Sequence, residues 1–341
     1  MMPFMDHMSE QQTDEIRLDG PLLFGRVLDG KGGARRINWA EAQVWQPQAP
    51  GEVMWLHLSR NEPEVEVWLE HGLKVAEPTV ELLVSDSTRP RAFREGDALV
   101  GVMRGINFNP GAKPADMIAM QLWSDGTRLV TLRRHRMQSP RDVLAALDEG
   151  HGPRDAGRVI TELVEALIVR MSSSIVDMNA EIDRMEATSE DADAEEMLAR
   201  ISQIRRNSLG LQRHMAPQHE ALEIISRDAP EWFDEGDRRE IAESIDRLRR
   251  YLDDIDISKE SALVLQDDIR ARAVARSERT NYLLTIVAAI FLPLGFITGL
   301  LGINVGGMPG VESGIAFWVV VGMCGAIFIM QLVLFWKWKW L

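Results

Sequence analysis

The stretch Tyr282-Leu-Leu-Thr-Ile-Val-Ala-Ala-Ile-Phe-Leu-Pro-Leu-Gly-Phe-Ile-Thr-Gly-Leu-Leu-Gly-Ile303 runs for 22 residues without a charge, and Asn304 follows it. As a helix it reaches about 33 Å, enough to cross the hydrocarbon of a bilayer. A second uncharged run, residues 314–335, has the same length. One such run also fits a buried soluble helix; two in succession point to a transmembrane hairpin. Between them, residues 304–313 carry a single charge, Glu312.

The flanks orient the hairpin. Arg270, Arg272, Arg276 and Arg279 precede the first run, and Lys337 and Lys339 follow the second. Positive charge gathers on the cytoplasmic side, so both termini are expected inside and the 304–313 loop outside. Trp336, Trp338 and Trp340 alternate with the terminal lysines, as interface aromatics do.

The two helices differ in chemistry. The first holds Pro293, Gly295, Gly299 and Gly302, and its Gly295-x-x-x-Gly299 spacing permits close helix approach. It reads as the helix that packs against copies of itself. The second carries Phe317, Trp318, Phe328 and Phe335 with one polar group, Gln331, and reads as the more lipid-facing.

Charge is segregated. The chain of 341 residues has a formal net charge of −14, nearly all of it before residue 282. That balance argues against nucleic-acid binding, which needs a basic face, and suits metal cations, although acidity also serves solubility alone. Cys324 is the single cysteine, so an internal disulfide framework and a cysteine-based zinc site are excluded. Phosphate-binding loops and nucleophile elbows are not legible, so an enzyme is not expected.

The region before the hairpin reads as α+β. Residues 1–15 are expected to be disordered. Residues 22–28, 53–58, 98–108, 117–123 and 128–132 have the composition and bounding turns of strands. Helices are expected at 62–71 and 78–85, then from Ser139, taken as a cap before Pro140. Long helices follow at 154–187 and 194–215, with a restart at Pro217. The last helix is expected from Arg238. Ile241, Ile245, Leu248, Leu252 and Ile255 repeat at alternating spacings of four and three. With no strong breaker but Pro293, it runs as a stalk (238–281) into the membrane, about 100 Å over residues 238–303. The working division is a soluble domain at 16–237, the stalk, spans at 282–303 and 314–335 and a tail at 336–341.

Arg279-Thr-Asn281, the stretch from Ile290 through Pro293 to Gly299, Gly302-Ile-Asn304 and Met308-Pro309 together resemble the membrane hairpin of the CorA family of metal transporters. Gly302-Ile-Asn-Val-Gly-Gly-Met-Pro-Gly310 resembles the zinc-transporting ZntB branch more than the magnesium branch, which usually has Met where Ile303 stands and an acid where Gly310 stands. The resemblance covers the layout of nearly the whole chain, but only the hairpin and the residues before it match one by one.

That resemblance implies a cytosolic α/β/α funnel domain, long stalk helices and a homopentamer whose first membrane helices line a pore. Five copies would carry about −70. It implies transport of Zn²⁺, with Mg²⁺, Co²⁺, Ni²⁺ or Cd²⁺ as alternatives, across a bacterial-type inner membrane and without a cofactor. Asn304 would ring the outer mouth with amides that bind the water shell of an incoming ion. Gly302 would let backbone carbonyls approach the axis, Ile303 would brace the loop, and Glu312 would attract cations or be an ordinary loop acid. Helical spacing from Asn304 places Gly299, Gly295, Leu292, Ala288, Leu284 and Asn281 near one face, with Thr298 and Thr285 able to hydrate an ion. Leu284 and Leu292 would narrow the pore, gating by dewetting.

No carboxylate or histidine lies in either span. The seven histidines, His7, His57, His71, His135, His151, His214 and His219, are scattered and read as solvated or core residues. Direction of transport and proton coupling are not legible. A membrane-anchored coiled-coil scaffold remains the reading from another class, disfavoured by Gly302, Pro293 and Asn304, which a plain anchor does not need.

Overall fold

The computed structural model describes residues 20–113, 115–187, 193–303, 310 and 313–338. They divide into two compact units, the first ending at Leu265 and the second beginning at Gln266, with one helix contributing to both.

The first unit is built on a seven-stranded sheet: β1 (Leu22–Leu28), β2 (Ala34–Arg36), β3 (Val53–Ser59), β4 (Arg91–Glu95), β5 (Ala98–Ile106), β6 (Met117–Ser124) and β7 (Arg128–Arg133). The order is β2-β1-β3-β7-β6-β5-β4, and only the β3–β7 pair is parallel. That pair needs a crossover, and the segment between β3 and β7 contains α2 (Pro63–Val67), continued by a π-helical turn Trp68–Gly72, and α3 (Glu77–Val84).

Strand alternation sorts side chains to two cores. From β3, Val53 and Trp55 join the larger one, while Met54, Leu56 and Leu58 join the other. The second core is closed by α1 (Trp39–Val44), α2 and α3 through Trp39, Val65, Leu69 and Leu83. The first is closed by α4 (Ser139–Asp148), α5 (Ala156–Val169), α6 (Met171–Glu186), α7 (Ala194–Asp228) and the start of α8 (Glu235–Leu301). The result is the α/β/α layering expected.

Buried polar groups of β3 and β7 meet at Thr131. Trp55 Nε1 donates to Thr131 Oγ1 at 2.9 Å, and His57 Nδ1 stands 2.8 Å from the same oxygen. His57 is fully buried against Phe24, ring centroids 4.9 Å apart. Burial, then Arg133 and Arg141, hold its pKa well below the usual histidine range, so it is a neutral core residue.

Several expectations need correction. The helix expected over 154–187 is two, α5 and α6, joined at Arg170. There Ser172 and Ser173 donate back to the carbonyls of Val169 and Arg170 at 2.8 and 3.0 Å, competing with helical bonds. Conversely, Pro217 does not restart a helix but lies inside α7. The turn around it is retained because Met215, Gln218, Ala221 and Leu222 are buried on one face. Ser139 is not a cap; it is buried inside α4, whose N-cap Gln138 makes no side-chain bond. Two short strands, β2 and β4, and helix α1 were not foreseen.

Helix α8 begins at Glu235, three residues before the expected start, because Asp234 and Asp237 cap it reciprocally. Asp237 N–H donates to Asp234 Oδ1 at 2.8 Å, and Asp234 N–H to Asp237 Oδ2 at 3.2 Å. The expected apolar repeat is present: Ile241, Leu248 and Ile255 are fully buried in the larger core, and Ile245 and Leu252 pack against it.

Gly157 of α5 lets that cap approach, since a Cβ there would overlap the Asp237 carboxylate. Burial, reinforced by Asp155 and Asp234, pushes Asp237 up to about 6. A carboxyl with a raised folded pKa holds its proton more tightly when folded. Its contribution favours folding below the unfolded pKa and is lost as pH rises from about 4 to about 6, on the order of 2–3 kcal/mol. Asp237→Asn keeps the cap's acceptor oxygen. Denaturation followed against pH is expected to find this variant more stable than the parent at pH 8 and equal to it near pH 3.

Candidate functional site

In the second unit, α8 runs through the first uncharged stretch to Leu301, and α9 (Ala316–Lys337) carries the second. Both are long and apolar enough to cross a membrane. Their apolar windows are only 6% and 0% buried, so neither is the core helix of a soluble protein.

Pro293 lies inside α8. A helical proline has no N–H, so the carbonyl four residues before it, that of Ala289, loses its partner. In hydrocarbon such a group has no water to turn to. The side chain of Gln331 on α9 supplies the bond: its Nε2 donates to the Ala289 carbonyl at 3.1 Å. Gln331, read from sequence only as the polar exception on a lipid-facing helix, is thus the group that satisfies the proline's orphaned acceptor. The proline and the lone polar residue were both visible; their pairing across 42 positions was not.

This bond fixes which face of α8 meets α9. Ile286 is buried, and Ala289, Ile290, Leu294 and Ile297 are partly covered. At about 100° per residue these lie on one side of the helix. Asn281, Leu284, Ala288, Leu292, Gly295 and Gly299 lie on roughly the opposite side and are uncovered in the single chain. Leu284 is 61% and Leu292 70% exposed. A Cβ placed on Gly295 or Gly299 would meet nothing within 4 Å, so the small-residue pair is not used against α9.

Thr298 stands at the edge of this stripe. Its hydroxyl donates to the Leu294 carbonyl at 2.9 Å, and that of Thr285 to Asn281 at 2.8 Å, leaving only lone pairs for a passing ion. Gly302 follows the helix end and caps it, its N–H donating to the carbonyls of Thr298 and Gly299 at 3.0 and 3.2 Å. Ile303 is 48% exposed. Asn304 and Glu312 lie outside the described residues. Among the described residues, no three His, Cys, Asp or Glu side chains gather closely enough to hold a metal ion.

Gln331→Leu is expected to cost about 1–2 kcal/mol, because it leaves a carbonyl unsatisfied in hydrocarbon. In a Pro293→Ala background the new N–H bonds Ala289, and the same Gln331→Leu change is expected to cost less than half as much. Thermal denaturation of the four proteins in detergent closes that double-mutant cycle.

Comparisons with known proteins bear on the family and the fold. The family model described as CorA-like Mg²⁺ transporter protein matches residues 50–337. The divalent cation transporter CmaX of Pseudomonas aeruginosa is 35% identical over 325 residues, covering 94% of this chain and 97% of that protein. The zinc transport protein ZntB of Pectobacterium atrosepticum is 33% identical over 292 residues, covering 85% and 87%. The solved structure of full-length CmaX matches with a TM-score of 0.81 at 34% identity, over 96% of this chain and 100% of the other. The complete CorA magnesium transporter of Methanocaldococcus jannaschii shares the fold, with a TM-score of 0.77 at 14% identity over 93% and 98%. The chain therefore belongs to the CorA family of divalent-cation transporters.

Proposed function

We propose that this protein is a homopentameric transporter that carries Zn²⁺ across an inner membrane, with copies of α8 around a central pore and both termini in the cytoplasm. The observation that carries the reading is the stripe from Asn281 to Gly299. It faces away from α9, combines polar, small and apolar residues, and is left uncovered by its own chain. A pore lined by symmetry-related copies is the arrangement that would use such a face.

In this reading Asn304 forms the amide ring at the outer mouth and Gly302 keeps side chains off the axis beside it. Ile303 braces the loop, and Glu312 raises the local cation concentration. Leu292 and Leu284 are apolar constrictions, Ala288, Gly295 and Gly299 keep the bore open between them, and Asn281 is the inner polar ring. With no carboxylate or histidine in the spans, the ion would pass with much of its water. The zinc preference rests on the ZntB-like loop and the ZntB relatives rather than on ligand chemistry, since zinc prefers N and S ligands. Mg²⁺ is the second cargo to test, because the matching family model is described for it. Proton-driven uptake and passive flow are separated by the assay below.

Purified protein in liposomes is expected to pass Zn²⁺, measured with an internal fluorescent indicator with and without a pH gradient. Absence of Zn²⁺ flux under every gradient would sink the zinc reading, and Mg²⁺ flux in its place would establish the alternative. Asn304→Ala is expected to lower flux about tenfold, equivalent to ~1.4 kcal/mol on ion entry, while the oligomer remains intact on size exclusion. Leu292→Ser should wet the constriction and raise basal flux in the same assay.

A further inference from the structure

One cavity of the first unit lies outside the two apolar spans. It measures 960 Å³ and lies between one face of α7 and the β4–β7 side of the sheet. Gln203, Arg206, Asn207, Gly210, Arg213 and His214 line it from α7. Their spacings of three and four place them on one side of the helix. The opposite side, with Ile201, Ile204, Leu211 and Met215, is buried.

The charge in this cavity opposes that of the chain. Arg60, Arg104, Lys113, Arg134, Arg206 and Arg213 border it against only Asp86 and Asp116, a net of +4 with both histidines neutral. The chain as a whole carries −14. Asp86 is already shared, accepting from Arg60 at 2.7 Å and Arg134 at 2.8 Å. Asp116 accepts the backbone N–H of Lys113 at 2.9 Å. Among the described residues, no carboxylate forms an ion pair with Arg104, Arg206 or Arg213.

Arg104 is the central group. Its Nε donates to the Thr88 carbonyl and its Nη1 to the Met117 carbonyl, each at 2.8 Å, while Nη2 donates to Thr88 Oγ1. Nη1 also lies 3.3 Å from His214 Nε2. These neutral partners orient the guanidinium without cancelling its charge. Burial, and after it the charges of Arg104 and Arg213, hold His214 down to about 4, so it adds no carboxylate-like compensation and stays a neutral neighbour of Arg104. Cations converging from a helix and a sheet, fixed by neutral acceptors, are the elements of an anion site.

We propose that this cavity binds a multiply phosphorylated small molecule of nucleotide size. The volume falls within the range of small-molecule sites. The basic groups approach from both walls, so one terminal phosphate could not engage them all. Met117 and Ile118 add an apolar patch for the rest of the ligand. A divalent cation is repelled by the same field. Bound there, the ligand ties α7 to β5 and β6 and stiffens the first unit. The proposal is independent of which cation is transported.

Isothermal titration calorimetry on the full-length protein in detergent, with metal chelated, tests it using inorganic pyrophosphate and ATP as probes. One equivalent per chain is expected for at least one probe, with affinity falling at least tenfold between 50 and 300 mM NaCl, as for a site neutralising several charges. The exposed pair Arg206→Ala/Arg213→Ala should weaken binding at least tenfold. If that variant misfolds, Asn207→Glu serves, since its carboxylate can still accept the Gln203 amide, which now donates to Asn207 at 2.8 Å, while repelling phosphate. Failure of both probes to saturate overturns the proposal, as does unchanged binding in a folded variant. So does binding only to vesicles of anionic phospholipid, which would make the ligand a headgroup.

Discussion

A proline in a helix that must cross hydrocarbon leaves one carbonyl without a donor, and the membrane half of this protein is arranged around that vacancy. Ala289 is the acceptor that Pro293 cannot serve, and Gln331 reaches it from α9. Because a lipid environment offers no substitute, the bond dictates the rotational setting of α9 against α8. Ile286, Ala289, Ile290, Leu294 and Ile297 then form the intrachain contact. The side left over, from Asn281 to Gly299, holds the residues that suit a pore. The polar bond inside the hairpin and the surface offered to other copies are therefore two consequences of one constraint.

Electrostatics is organised on two scales. Globally the chain is acidic and its membrane spans are free of charge, which suits a protein that handles divalent cations. Locally, between α7 and the sheet, six basic groups converge on a cavity where two carboxylates do not balance them. The acidic surroundings make that cavity more distinctive, since evenly spread charge would have left compensating carboxylates within reach of Arg206 and Arg213.

How far local sequence carried the fold depended on how local the deciding force was. Strands β1, β3, β5, β6 and β7 announced themselves by apolar runs between turn residues, because both faces of each are covered. Strand β4, Arg-Ala-Phe-Arg-Glu, pairs only with β5 at the sheet edge, and two of its residues alone are strongly apolar-facing in composition. Its existence rests on cross-strand bonds rather than on its own pattern. The same holds for β2. Pro217 misled for the opposite reason: proline's local preference for a first turn was overridden by the buried face of α7. At Arg170 the amphipathic period runs on across residues 154–187, and the break is made instead by Ser172 and Ser173 bonding back to the carbonyls of Val169 and Arg170.

By itself, the sequence determined the membrane hairpin, the long helix feeding it, the glycine and leucine stripe and the loop motif that tied the chain to its family. Each of these is written in residues adjacent or a few turns apart, where helical period and charge spacing apply directly. The tertiary structure alone decided that Gln331 answers Pro293, that the predicted stripe faces away from α9, and that basic residues from four strands' worth of chain meet those of α7 around one cavity. Those facts depend on contacts between groups separated by 42 positions in one case and more than 100 in another. Such contacts are selected by the collective cost of unsatisfied polar groups and unburied surface, which no local pattern records.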